Sequence, residues 1–169
     1  MKSLRTKRDE QQWMLDLALN MRGRVQNFER DDWETPKRAH NYRMLPKMWR
    51  QKAEHDEALA KQAEKQGFLM TALEHYEHAV ESYRMAQHPI YFDDNPVKIY
   101  LTQKLAEMVD RRSAISPYPI ERVEVPFDDG KTISCLLHLI PDRRKAPCVI
   151  YVPGMDQTKE YFPKVLNNL

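Results

Sequence analysis

Glycine is scarce in this chain, with 4 residues in 169, where average usage of about 7% would give roughly 12. That scarcity excludes collagen-like and glycine-linker sequences, and it argues for long helices over a loop-rich or all-β chain. Cysteine is nearly absent. Cys135 and Cys148 are too few for a disulfide scaffold, and their strand-like apolar surroundings read as buried reduced thiols. Long hydrophobic runs are missing near the start, because Asp16 and Asn20 interrupt the stretch from Trp13 to Met21. Neither a secretory segment nor a membrane span is expected there, and the protein reads as cytoplasmic. Charge of a single sign is lacking too, since 27 basic residues face 25 acidic ones for a net +2. The first 50 residues hold 12 basic and 7 acidic side chains. These are interspersed, without a glycine-aromatic pattern, so they read as a solvated helical face and no nucleic-acid partner is expected.

What is present is amphipathic helix. Hydrophobic residues make up 41% of the chain, enough for a core of ordinary size. Trp13, Met14, Leu17, Ala18, Met21, Val25 and Phe28 recur at three- and four-residue steps, which predicts a helix over about 9 to 29. Thr35-Pro36 reads as an N-cap followed by proline at the first helical position. Pro46 opens another helix through Trp49, Ala53, Leu59, Ala60 and Ala63, with Gly67 as its C-cap. From Phe68 to Gln87 a stripe of Leu69, Ala72, Leu73, Tyr76, Ala79, Val80, Tyr83 and Ala86 predicts the next helix, stopped by His88-Pro89. Asp94-Asn95-Pro96 starts one more, carrying Ile99, Leu101, Leu105, Met108 and Val109.

At Ser116-Pro117-Tyr118-Pro119 the hydrophobic period changes from helical to two. This is the expected domain boundary, with a helical domain over 1–116 and a β-rich part over 117–169. Val123, Val125 and Phe127 alternate with polar or proline neighbours, Asp129-Gly130 marks a hairpin turn, and Thr132 to Ile140 returns as the paired strand. After the polar bridge 141–147, the unbroken run Cys148-Val149-Ile150-Tyr151-Val152 reads as a strand buried on both faces of a sheet. It leads through Pro153-Gly154-Met155-Asp156 towards a predicted helix with Tyr161, Phe162, Val165 and Leu166. The fold class is therefore α/β: an N-terminal α-helical domain followed by the first three strands of a sheet.

A buried strand that turns through glycine into a helix start is where α/β enzymes place backbone donors for an anion or oxyanion. Residues 121–130 and 146–160 together resemble the opening of an α/β-hydrolase domain. The resemblance is to the group with an N-terminal helical domain, which includes dihydroxypseudooxynicotine hydrolase, fungal polyketide-shortening hydrolases and esterases of the fermentation-respiration-switch type. It extends to Trp49–Tyr83 and Asn95–Asp110. It implies a cap-like role for residues 1–116, and serine attack on an ester or on a carbon–carbon bond beside a carbonyl in a small-molecule substrate. By motif position it implies that the amides of Gly154 and Met155 form the oxyanion hole, without a metal or organic cofactor. Lys159 and Glu160 also match and read as an exposed ion pair or helix-start charges.

The family's Gly-x-Ser-x-Gly turn does not occur, since none of Ser3, Ser82, Ser113, Ser116 and Ser134 has glycine at both two-residue offsets. The chain therefore reads as a hydrolase truncated before its nucleophile and inactive alone. The uncovered edge of strand 148–152 invites aggregation or pairing, including a homo-oligomer. His75 and His78 stand three residues apart with Glu74 and Glu77 beside them, a pattern that half-matches a metal site but shows no obvious third ligand, so both are expected at the surface or its boundary. His138 is expected as a partly exposed sheet residue. Trp33, Trp49, Tyr76 and Tyr83 are aromatics at helical spacing and read as core more than as pocket lining. The rival class is a helical interaction module, because Leu59, Ala60, Ala63, Gly67, Leu69, Ala72, Tyr76 and Ala79 follow the spacing of one tetratricopeptide helix pair, though a solenoid needs about three.

Overall fold

The computed structural model describes residues 41–142, 145–154 and 158–160. The expected elements over 9–29 and 161–166, the Thr35-Pro36 cap, Trp33, Met155 and Asp156 lie outside these residues. A 3-10 turn, Tyr42–Met44, leads into helix α1, Leu45–Lys65, with Pro46 in its first turn. Helix α2 spans Leu69–Gln87 and helix α3 spans Pro96–Ala114. Strands β1, Ile120–Pro126, and β2, Thr132–His138, then form an antiparallel pair with Val123 opposite Cys135.

Local chemistry explains each boundary. Within α1 the pairs Arg50–Glu54, Lys52–Asp56 and Glu57–Lys61 close at 2.6, 2.9 and 2.6 Å across one turn, each adding a few tenths of a kcal/mol, roughly, to the helix. The helix stops at Gly67, whose φ of 82° is open to glycine at little cost. There the Phe68 amide donates to the Ala63 carbonyl at 2.9 Å and the Gly67 amide to Glu64 at 3.0 Å, a Schellman closure that turns the chain straight into α2. Asn95 caps α3, its Oδ1 accepting from the Val97 amide at 2.9 Å and the Lys98 amide at 3.4 Å. In the hairpin, Asp129 and Gly130 adopt φ of 57° and 71° while the Lys131 amide donates to the Asp128 carbonyl. Positive φ at both central residues makes this a type I′ turn, the kind that matches strand twist.

The core lies between the helices. Ala53 and Ala60 on α1, and Ala72, Ala79 and Ala86 on α2, are all buried at seven-residue steps. Small residues at that period let two helix backbones approach closely, and α1 packs chiefly on α2 while α2 packs on α3. Trp49, Tyr76, Tyr83, Leu101, Leu105, Met108 and Val109 fill the remaining space. The hairpin joins this core through half-buried Leu136 and through the 2.7 Å ion pair between Arg122 and Asp110. Arg112 is only 7% exposed at the end of α3, and among the described residues its Nε and Nη2 make no hydrogen bond.

Three expectations are corrected. Residues 148–152 form no strand, and Val149, Ile150 and Val152 are exposed by 76, 85 and 79%. A central parallel strand needs partners on both edges and cover on both faces, and among the described residues only the two-stranded β1–β2 sheet is formed. Cys148 is consequently exposed, not buried, and Cys135 is half-buried; both are free thiols. Ile99 is also exposed, because two positions separate it from Leu101 and the helical turn of about 200° over that step puts them on opposite sides of α3.

Candidate functional site

Gly154 is exposed, whereas its expected companion Met155 lies outside the described residues. A few positions on, Lys159 Nζ and Glu160 Oε1 form an ion pair at 2.8 Å. Glu160 is buried, which corrects the expectation of an exposed pair. Burial pushes its carboxyl up, and the Lys159 ammonium beside it outweighs this to leave it lowered. The charge of Glu160 is felt at both Arg112 and Arg122, so this segment comes back towards the end of α3 and the hairpin. His138 sits there too, its ring 5.7 Å from that of Tyr118 and its imidazole lowered by burial and then by the Arg112 charge.

The second polar centre lies within the helical core. Glu57 is buried on α1, and its Oε1 accepts from Lys61 Nζ and Lys104 Nζ, each at 2.6 Å, while Oε2 accepts from the Tyr83 hydroxyl at 2.6 Å. Lys104 also reaches Glu107 at 2.8 Å. Burial alone would raise the Glu57 carboxyl, but the bonds from Lys104, Lys61 and Tyr83 win and hold it at about 2. The Tyr83 phenol moves up, first by burial and then by donating to Glu57. Glu57, Lys61, Tyr83 and Lys104, with Glu54, Ala58 and Tyr100, line an open cleft of about 340 Å³. Arg50 stacks over the Tyr100 ring at 4.8 Å beside it. Since the charges in this cleft are already mutually satisfied, it is better built to lock three helices together than to bind an apolar substrate.

Trp49, Tyr76 and Tyr83 are core residues, as their helical spacing implies. A third polar group was not legible from spacing. Buried Asp56 on α1 meets the histidine pair of α2, with Oδ1 at 3.2 Å from His75 Nδ1 and with one ligating atom from each of Asp56, His75 and His78 within 4.8 Å of the others. Asp56 lies 19 residues before His75, and its sequence signal is a carboxylate three residues after Ala53, on the apolar face of the predicted helix.

With this geometry in place, comparison with known proteins shows what the chain is similar to. No protein-family model matches it. Three fungal proteins do match, each over 120 residues that cover 68% of this chain: the α/β-hydrolases xenA of Xenoacremonium sinensis at 32% identity, gkaG of Penicillium citrinum at 27%, and pydG of an Acremonium species at 28%. The aligned stretch covers 28% of the length of each of these relatives. The chain is related to the α/β-hydrolases, and its helices followed by an antiparallel hairpin are an N-terminal helical region and a partial α/β sheet. The tetratricopeptide-like reading is not favoured. No helix among the described residues is long and apolar enough to cross a membrane.

Proposed function

We propose that this chain supplies the helical, cap-like part (residues 1–116) and the opening strands (from residue 117) of a serine α/β-hydrolase. The complete enzyme would cleave an ester, or a carbon–carbon bond next to a carbonyl, in a small-molecule substrate. The observation that carries the reading is the 32% identity to an α/β-hydrolase over 120 residues. The structure supports it in two ways. The helical part stops at Ala114 and the strands begin at Ile120, and the apolar run 149–152 is left exposed, as a strand waiting for a parallel neighbour would be.

In this reading a serine on a strand-to-helix turn, activated by histidine and an acid, comes from polypeptide beyond residue 169, and the amides of Gly154 and Met155 stabilise the tetrahedral oxyanion. The test pairs a fluorophosphonate probe with turnover of an activated ester, on the 169-residue chain and on a version extended to the length of its relatives. Labelling and turnover are expected only in the extended protein. There, Gly154→Val should lower turnover by about 10²- to 10³-fold, the usual effect of losing one oxyanion donor. Unchanged turnover in a folded Gly154→Val enzyme removes Gly154 from the site, and labelling of the short chain would mean that it holds its own nucleophile.

A further inference from the structure

We propose that Asp56, His75 and His78 form a divalent metal site of the zinc type on the seam between α1 and α2. Two imidazoles and one carboxylate are a recurrent three-ligand set for zinc, with the fourth position open to water or another ligand. His75 and His78 sit three residues apart on α2, a spacing that puts both on one side of the helix. Their rings stand edge to face with centroids 6.1 Å apart. Opposite them Asp56 is buried, and its two oxygens have separate tasks. Lys52 Nζ holds Oδ2 at 2.9 Å, while Oδ1 faces the His75 Nδ1 at 3.2 Å.

Tetrahedral zinc with bonds of about 2.0 to 2.1 Å separates its ligand atoms by roughly 3.4 Å. The Asp56–His75 pair already has that separation, and the full set lies within 4.8 Å, so a rotation of the His78 side chain closes the site without moving either helix. The ammonium of Lys52 then acts as an outer-shell partner, fixing the carboxylate so that one oxygen is presented to the metal. A plain ion pair between Asp56 and His75 would use only one imidazole, whereas the convergence of His78 on the same carboxylate is what a metal would use. Bound there, the ion would cross-link α1 to α2. This inference is independent of the hydrolase reading.

The test is calorimetric titration of the full chain with Zn2+, together with the visible absorption of Co2+ in the same site. One ion per chain and a tetrahedral Co2+ spectrum are expected, with a zinc-dependent rise in Tm. His78→Gln, which leaves the Asp56–His75 contact in place and so should fold normally, is expected to weaken zinc binding by at least 100-fold, roughly, more than the about 10- to 100-fold seen when an outer-shell partner is lost. His75→Gln should do the same. His55→Gln, His88→Gln and the double replacement Cys135→Ser/Cys148→Ser should bind as the parent does. Absence of zinc binding by the parent chain, binding that survives both His75→Gln and His78→Gln, or binding lost with the cysteines would each overturn the proposal.

Discussion

The hydroxyl of Tyr83 and Oε2 of Glu57 are 2.6 Å apart although 26 residues separate them in sequence, and the bond between them is buried at the meeting of α1 and α2. It fixes a carboxylate between the helices, with Lys61 and Lys104 closing on its other oxygen. Burial of that carboxylate is tolerable only because its lone pairs are used.

Tyr83→Phe should therefore destabilise the chain by about 1 to 3 kcal/mol, the usual cost of leaving a buried acceptor short of a donor. The phenyl ring fills the same volume, so packing is kept and the loss reports the hydrogen bond. Urea unfolding of the two proteins is the check, and an unchanged midpoint would show that Lys61 and Lys104 suffice.

Acid should unfold the chain partly through Glu57. Its folded-state value, about 2, lies below the ordinary 4.5, so the unfolded chain binds the proton more readily. The stability contributed by this group is complete above about pH 5 and drains away as pH falls through 4.5 towards 2. The full swing is on the order of 3 kcal/mol. Glu57→Gln should be less stable at neutral pH and should show a flatter dependence between pH 5 and 2; parallel curves for the two proteins would refute the assignment.

Gly67→Ala should cost about 1 to 2 kcal/mol. The strain comes from the backbone alone, since a Cβ at this position meets nothing within 4 Å while φ stays at 82°. Gly67→Asn should cost less, because asparagine tolerates the left-handed region. Equal losses for both variants in denaturant titrations would point to a side-chain clash.

Arg112→Met should raise stability, by about 1 to 3 kcal/mol, because a buried guanidinium with idle donors is replaced by an apolar chain of similar length. Burial is the leading influence on this group and lowers its pKa; the charges of Glu77, Tyr118 and Glu160 oppose that shift. A lower unfolding midpoint would mean that those opposing charges outweigh the cost of burial.

Signals acting over a few residues were readable in the sequence. Pro46, Gly67, Asn95-Pro96 and Asp129-Gly130 each fix backbone geometry by their own covalent structure, and they mark elements that the structure has at those places. Groups that meet through space were hidden. Asp56 and Glu57 stand three and four residues after Ala53, on the buried face of α1, but only the fold shows that α2 and α3 bring His75, Tyr83 and Lys104 to them. Residues 148–152 misled for the complementary reason: their apolarity predicts burial, but burial requires neighbouring strands, and that is a property of the surroundings.

The helices contact one another in chain order, α1 with α2 and α2 with α3, joined by connections of a few residues. Contacts so close in sequence close small loops at low entropic cost and form quickly. During synthesis, at about 5 to 20 residues per second, the helical core can close soon after Ala114 has left the ribosome. The hairpin then emerges beside a surface already in place, with Asp110 positioned to capture Arg122. The exposed apolar run at 149–152 comes out after both, so it meets a helical core and hairpin already able to form.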